Sequence, residues 1–374
     1  MRRKIKFVIL LAGGRSGSSL LQSLFDMHPQ ILQFPGDFRF DHLFVDILNE
    51  KDPEKMSQMF CDLNPFFFDS RLQKNSWSID RHYMLGKNKN EFYNFSTEIF
   101  KKHFIYFYNN SKKSKIDKII ALHQAYAKLS GQNLNKKKII IFHLHIIEWF
   151  ENFTNYFSQF NNFKILLTFR DPLVSLCSTI NHWLEYKSGK NLYSKSLYAN
   201  YEMHINMMNV LYKFRKKVSI IQLENLHLKS NKVLKNLCKL LKINYQSSLK
   251  KSSYHNKLWW GDSVSKKFLN GLNPKFKNKF DKNIFFDKDI EIIESKLKNI
   301  ITRYNYPTRS KSKIQNKYLQ FLPFKFELIV WLNSLKNRRF KQFLLIPFFF
   351  IKRLILFSRK NLYSKKELPN SIGS

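Results

Sequence analysis

At 374 residues the chain is longer than one hydrophobic core usually organises, about 250 to 300 residues, so one large domain with an appendage is expected. Its 65 Lys and Arg against 27 Asp and Glu give a formal charge of +38, which suits an anionic partner: a nucleotide, a charged glycan, nucleic acid or an acidic membrane surface. Three scattered cysteines, Cys61, Cys177 and Cys238, match neither a disulfide framework nor a metal site, and no apolar run reaches the roughly 18 residues that a spanning helix needs.

A reducing, cytoplasmic compartment is therefore expected. The start, Met1-Arg2-Arg3-Lys4 followed by apolar residues, has the outline of an export signal, but the run Ile5 to Leu11 leads straight into a glycine turn without a cleavage-like site. It is read as the first strand. The turn Gly13-Gly14-Arg15-Ser16-Gly17 comes next, and Ser18 to Phe25 has helical spacing. Strand, glycine turn and helix start make an anion cradle of backbone N–H groups, to which Arg15 adds charge and Ser16, Ser18 and Ser19 add hydroxyls. A nucleotide triphosphatase loop would need Gly-Lys-Ser/Thr, whereas Ser18 follows Gly17 here.

Gly14-Arg15-Ser16-Gly17-Ser18-Ser19-Leu20, continuing through Asp26-Met27-His28-Pro29, resembles the 5'-phosphosulfate loop of sulfotransferases that use 3'-phosphoadenosine 5'-phosphosulfate (PAPS). That family often has Pro-Arg-Ser-Gly-Thr-Thr-Leu here, so the proline is missing and both threonines are serines. The resemblance implies that Gly14 to Ser19 bind the phosphosulfate of PAPS.

Ile31 to Phe34 is a strand candidate, and Pro35-Gly36 turns the chain into Asp37-Phe38-Arg39. In one branch of the family a Glu-x-Arg lies near this distance, its Glu acting as general base. Asp37 is therefore a base, a cap for a helix over Phe38 to Leu48, or both. From about residue 40 to 137 the text is aromatic and lysine-rich. Helical spacing over Ile99 to Tyr108 and Ile116 to Leu129 predicts a helical layer on the acceptor side.

Lys138 to His145 reads as a buried strand ending in His143 and His145, and parallel sheets put ligand chemistry at such ends. The family commonly has Lys-Thr-His there; only His145 matches, and it is the second candidate base. A helix over Glu148 to Phe160 and a strand over Phe163 to Phe169 follow. Arg170-Asp171-Pro172 then opens a helix over Leu173 to Tyr186. This resembles the family's 3'-phosphate motif, which implies Arg170 and Ser178 as phosphate contacts. An Arg fork with a hydroxyl suits a monoester phosphate.

Further on are a helix over Ser196 to Lys216, a strand over Val218 to Leu223, Glu224-Asn225-Leu226 where the family has Glu-Asp-Leu, and a core-facing helix over Lys229 to Lys242. Leu258 to Ser263 reads as a loop, and the family's late donor loop implies Ser263, with Lys266 or Lys267, near phosphate. A last helix spans Ile290 to Tyr304, and Pro307 to Lys313 reads as a linker.

The expected fold is α/β: a mainly parallel central sheet with helices on both faces, a P-loop-like three-layer sandwich over residues 1–305, plus a basic aromatic helical tail over 306–374. The resemblance implies a sulfotransferase that moves a sulfuryl group from PAPS to a hydroxyl, carbohydrate being the favoured acceptor, with no metal. A nucleotide-dependent kinase and a non-catalytic anion or membrane binder are the alternatives. The basic residues form no recognised nucleic-acid module, so that partner is disfavoured. The tail over Phe321 to Phe357 is a candidate for an anionic surface, the inner face of the membrane in a cytoplasmic protein, or for packing on the domain.

Overall fold

The structure is a computed structural model and describes residues 5–72, 85–158, 160, 162–185, 207–208, 211–261, 270–310, 320–336, 340–358 and 364–373. Five strands form one parallel sheet: β1 (Lys6–Ala12), β2 (Ile31–Leu32), β3 (Ile139–Leu144), β4 (Phe163–Phe169) and β5 (Val218–Gln222), in the order β2-β3-β1-β4-β5. Each is a short apolar run buried on both faces, as crossover helices on both sides require. In β1, Phe7, Ile9 and Leu11 enter one core while Val8 and Leu10 enter the other.

The second core is covered by α1 (Ser18–Leu24), and by α10 (Ser230–Leu241), which follows the short α9 (Leu223–Leu228). The first core is larger. It lies under α2 (His42–Asn49), α3 (Pro53–Leu63), α4 (Pro65–Phe68), α5 (Thr97–Asn109), α6 (Lys115–Leu129), α7 (Ile147–Tyr156) and α8 (Pro172–Glu185). The α/β fold with helices on both faces is thus as the sequence predicts.

Three local readings are corrected. The helix expected from Phe38 begins at His42, because Asp41, and not Asp37, is its N-cap, accepting from Phe44 N. The helix expected over Ile290 to Tyr304 is two, α11 (Asp287–Lys296) and α12 (Lys298–Arg303), broken at Leu297. Trp259, read as part of a surface loop, is buried with Leu85, Tyr93 and Tyr254. Most of the helix expected over Ser196 to Lys216 lies outside the described residues.

Residues 307–310 are pinned to the domain: Arg309 pairs with Asp171, and Arg309 N and Ser310 N donate to Glu294. Beyond them, α13 (Lys325–Lys336) and α14 (Phe340–Ser358) pack on each other. The chain then returns to the open edge of β5, where Ile220 N donates to Asn370 O and Ile372 N to Ile220 O. That pairing covers an edge otherwise free to recruit another strand.

Candidate active site

All five strands run the same way, so the ends of β1, β3, β4 and β5 share one rim. The turn after β1 is held by its own backbone and by β4. Gly13 N donates to Thr168 O at 2.9 Å and to Ser16 Oγ at 3.0 Å, and Ser16 Oγ and Thr168 Oγ1 are 2.9 Å apart. A Cβ on Gly13 would stand 2.6 Å from Thr168 O, which explains why no side chain is carried there. Arg15 has φ of 48°, a left-handed backbone that costs a non-glycine residue about 1 kcal/mol. Such strain, when the surroundings impose it, is common at ligand sites.

The second turn, after β4, locks onto the first. Ser175 Oγ in α8 donates to Gly14 O at 2.6 Å. Asp171 caps α8 by accepting from Leu173 N and Val174 N, and its own N donates to Glu224 Oε1 at 3.1 Å. Arg170, next to it, donates from Nε to Asn278 Oδ1 at 3.2 Å, with its guanidinium 5.8 Å from the centre of the Phe276 ring. Burial lowers its pKa; the Glu224 carboxylate opposes this, and repulsion from the Arg15 guanidinium adds to it. Two cations that disfavour each other across one rim are a receptor for negative charge.

The third group lies at the end of β3. Phe38 N donates to His143 O at 2.8 Å, laying the Asp37 segment beside the strand end. Asp37 Oδ1 is 3.2 Å from His143 Nδ1 and 4.0 Å from His145 Nδ1. Gln22 of α1 fixes the arrangement: its amide nitrogen donates to Phe34 O and Gly36 O, leaving Oε1 to accept from His143 Nδ1 at 3.0 Å. This network assigns the Nδ1 proton to His143. One ligand atom from each of Asp37, His143 and His145 lies within 4.8 Å of the others, a two-nitrogen, one-oxygen set able to take a divalent cation.

The chain is similar to two solved sulfotransferase domains. The sulfotransferase domain from the curacin biosynthetic pathway is 15% identical over 82% of this chain and 100% of its own, with a TM-score of 0.40. The sulfotransferase domain from the Synechococcus PCC 7002 olefin synthase is 15% identical over 67% of this chain and 78% of its own, with a TM-score of 0.39. No family model and no curated protein matches the chain.

Of the residues singled out in the sequence, Gly14, Arg15, Ser16 and Gly17 form the first turn, Ser18 and Ser19 open α1, and Arg170 stands on the neighbouring strand end. Ser16 is buried, and its hydroxyl is engaged with Thr168 and Gly13 N. Ser178 is half-buried in α8, while Ser263, Lys266 and Lys267 lie outside the described residues. Asp37 and His145, set against each other as alternative bases, are neighbours. Arg39, expected to accompany Asp37, is paired with Asp41 instead. Gln22, Thr168 and Ser175 were not foreseen; each acts through a partner more than a hundred residues away, which no local pattern reveals.

Proposed function

We propose that the protein is a sulfotransferase taking a sulfuryl group from PAPS to a hydroxyl acceptor, with a carbohydrate as the first acceptor class to test. The observation that carries this reading is the joining of two anion-suited turns on adjacent parallel strands: Ser175 to Gly14 and Ser16 to Thr168 tie the Arg15 turn to the Arg170 turn. A donor with phosphate groups at both ends of its ribose needs two such sites a fixed distance apart. A triphosphate needs one.

In this reading Arg15 and the turn amides hold the phosphosulfate, and Arg170 with Ser178 holds the 3'-phosphate. The acceptor oxygen attacks sulfur in line. Its bond to sulfur forms as the bridging sulfur–oxygen bond breaks, leaving adenosine 3',5'-bisphosphate, whose new charge, on the 5'-phosphate, Arg15 and the turn amides stabilise. The acceptor proton goes to the Asp37, His143 and His145 cluster, where a carboxylate lies beside two imidazoles.

Transfer from sulfur-labelled PAPS to a panel of glycans and simple alcohols is the direct test. Binding separates donor from chemistry: adenosine 3',5'-bisphosphate is expected to raise the unfolding temperature, and stabilisation by ATP with magnesium alone would favour a kinase instead. Transfer that survives a chelator supports the cluster as proton acceptor. Loss on chelation, restored by zinc, would assign it to a metal and overturn that role.

A further inference from the structure

The helix pair α13 and α14 buries an ion pair and exposes a row of apolar side chains. Arg353 in α14 is fully buried, with Nε donating to Glu327 Oε1 of α13 at 2.9 Å, and Nη1 and Nη2 donating to Gln320 O at 2.7 Å and Leu322 O at 3.0 Å. Its guanidinium lies 4.0 Å from the centre of the Phe324 ring. A buried ion pair with those partners fixes how the two helices face each other. On the other side of α14, Leu344, Phe348, Ile351 and Ile355 are 67%, 65%, 51% and 54% exposed. Steps of four, three and four residues put them in one row. Leu332 and Leu335 of α13 are exposed as well.

We propose that this row is a docking surface for an anionic lipid bilayer. A contiguous exposed apolar stripe marks an interaction surface rather than ordinary surface composition. Charge selects the occupant: between Glu327 and Glu367 the sequence has ten Lys and Arg and no acidic residue. Exposed Lys336 and partly exposed Lys352 belong to the same two helices. Basic residues bordering an apolar row fit a helix lying in a negatively charged interface. Lying, not crossing, fits its dimensions, since no helix among the described residues is long and apolar enough to cross a membrane.

The surface is carried rigidly by the domain. Phe326 packs on Phe285, Phe285 stacks on Phe280, and Phe280 lies under the Arg309 guanidinium that pairs with Asp171 beside the rim. Docking therefore orients the whole domain on the bilayer. It stands on the exposed row and the charge alone, and would survive failure of the sulfotransferase reading.

Flotation of the full chain tests it. With vesicles of phosphatidylcholine containing about a third phosphatidylglycerol the protein is expected to float, and with phosphatidylcholine alone to stay below. The fourfold variant Leu344→Ser, Phe348→Ser, Ile351→Ser, Ile355→Ser is expected to lose about tenfold or more of the floated fraction. Lys336→Glu with Lys352→Glu, which leaves the row intact, is expected to weaken binding to anionic vesicles only. Absence of flotation by the wild type, or flotation indifferent to both lipid charge and the fourfold change, overturns the proposal. So does a lipid-free dimer that the fourfold change dissociates, which would give the row to a second copy of the chain.

Discussion

The rim between β1 and β4 and the helical layer over α2 to α6 are built on opposite principles. At the rim a few residues hold the backbone in conformations and contacts that other types would not tolerate: Gly13 against Thr168 O, Gly17 at φ of 82°, Ser175 on Gly14 O. In the layer, mass does the holding. Phe34 stacks on Phe67 at 4.9 Å, Phe60 on Phe100 at 5.5 Å, and Tyr126 donates to Phe67 O at 2.6 Å. The rim contributes ligand geometry at some cost in strain, while the layer contributes apolar burial and leaves the choice of ring to packing. Damage to the first should therefore appear in binding, and damage to the second in stability.

The largest expected effect lies in the layer. Phe67→Ala removes a fully buried ring among Phe34, Phe60, Phe66 and Tyr126 and should cost about 3 to 5 kcal/mol in urea unfolding. Its folded fraction should still bind adenosine 3',5'-bisphosphate with near wild-type affinity; a large affinity loss would erase the division. At the rim, Arg170→Ala should weaken that nucleotide by about 100-fold, roughly 2.7 kcal/mol, with stability changed by less than about 1 kcal/mol. The stability change is small because the guanidinium is partly buried and repelled by Arg15, so its removal also relieves a cost. Unaltered binding by calorimetry would remove Arg170 from the donor site.

The same division decides what could be read in the sequence. The rim was legible because glycine marks the sharp turn at Gly13 to Gly17 and proline marks the helix start after Arg170, at Pro172. β4 begins and ends where its apolar run does. In the layer the helices were legible by period, α6 over Lys115–Leu129 within a residue of expectation, but not which rings meet. Spacing offered Asp37 as the cap and nothing local pointed to Asp41; Asp41 takes the cap, while Asp37 lies against His143, a contact made by chain folding. The return of residues 370–372 to β5 carried no pattern at all, since a backbone pairing this short is indifferent to side chains.

The smallest expected effect probes a buried histidine inside the layer. His123 lies in α6 between Phe34, at 4.3 Å, and Phe142, at 5.2 Å, and its Nδ1 is 2.9 Å from Ile119 O. Burial lowers its pKa to about 3, against the weaker opposite pull of that hydrogen bond. The unfolded chain takes up the proton near 6.5, while the folded one stays neutral down to about 3, so in this window protons favour the unfolded chain and stability falls as pH falls. Between pH 7 and 5.5 the loss from this residue is on the order of 1 kcal/mol. His123→Leu, measured by urea unfolding at both pH values, should lose that part of the pH dependence and leave nucleotide binding at the rim unchanged. An unchanged slope would mean that water reaches the ring, and that the layer is less tightly closed than its aromatic packing implies.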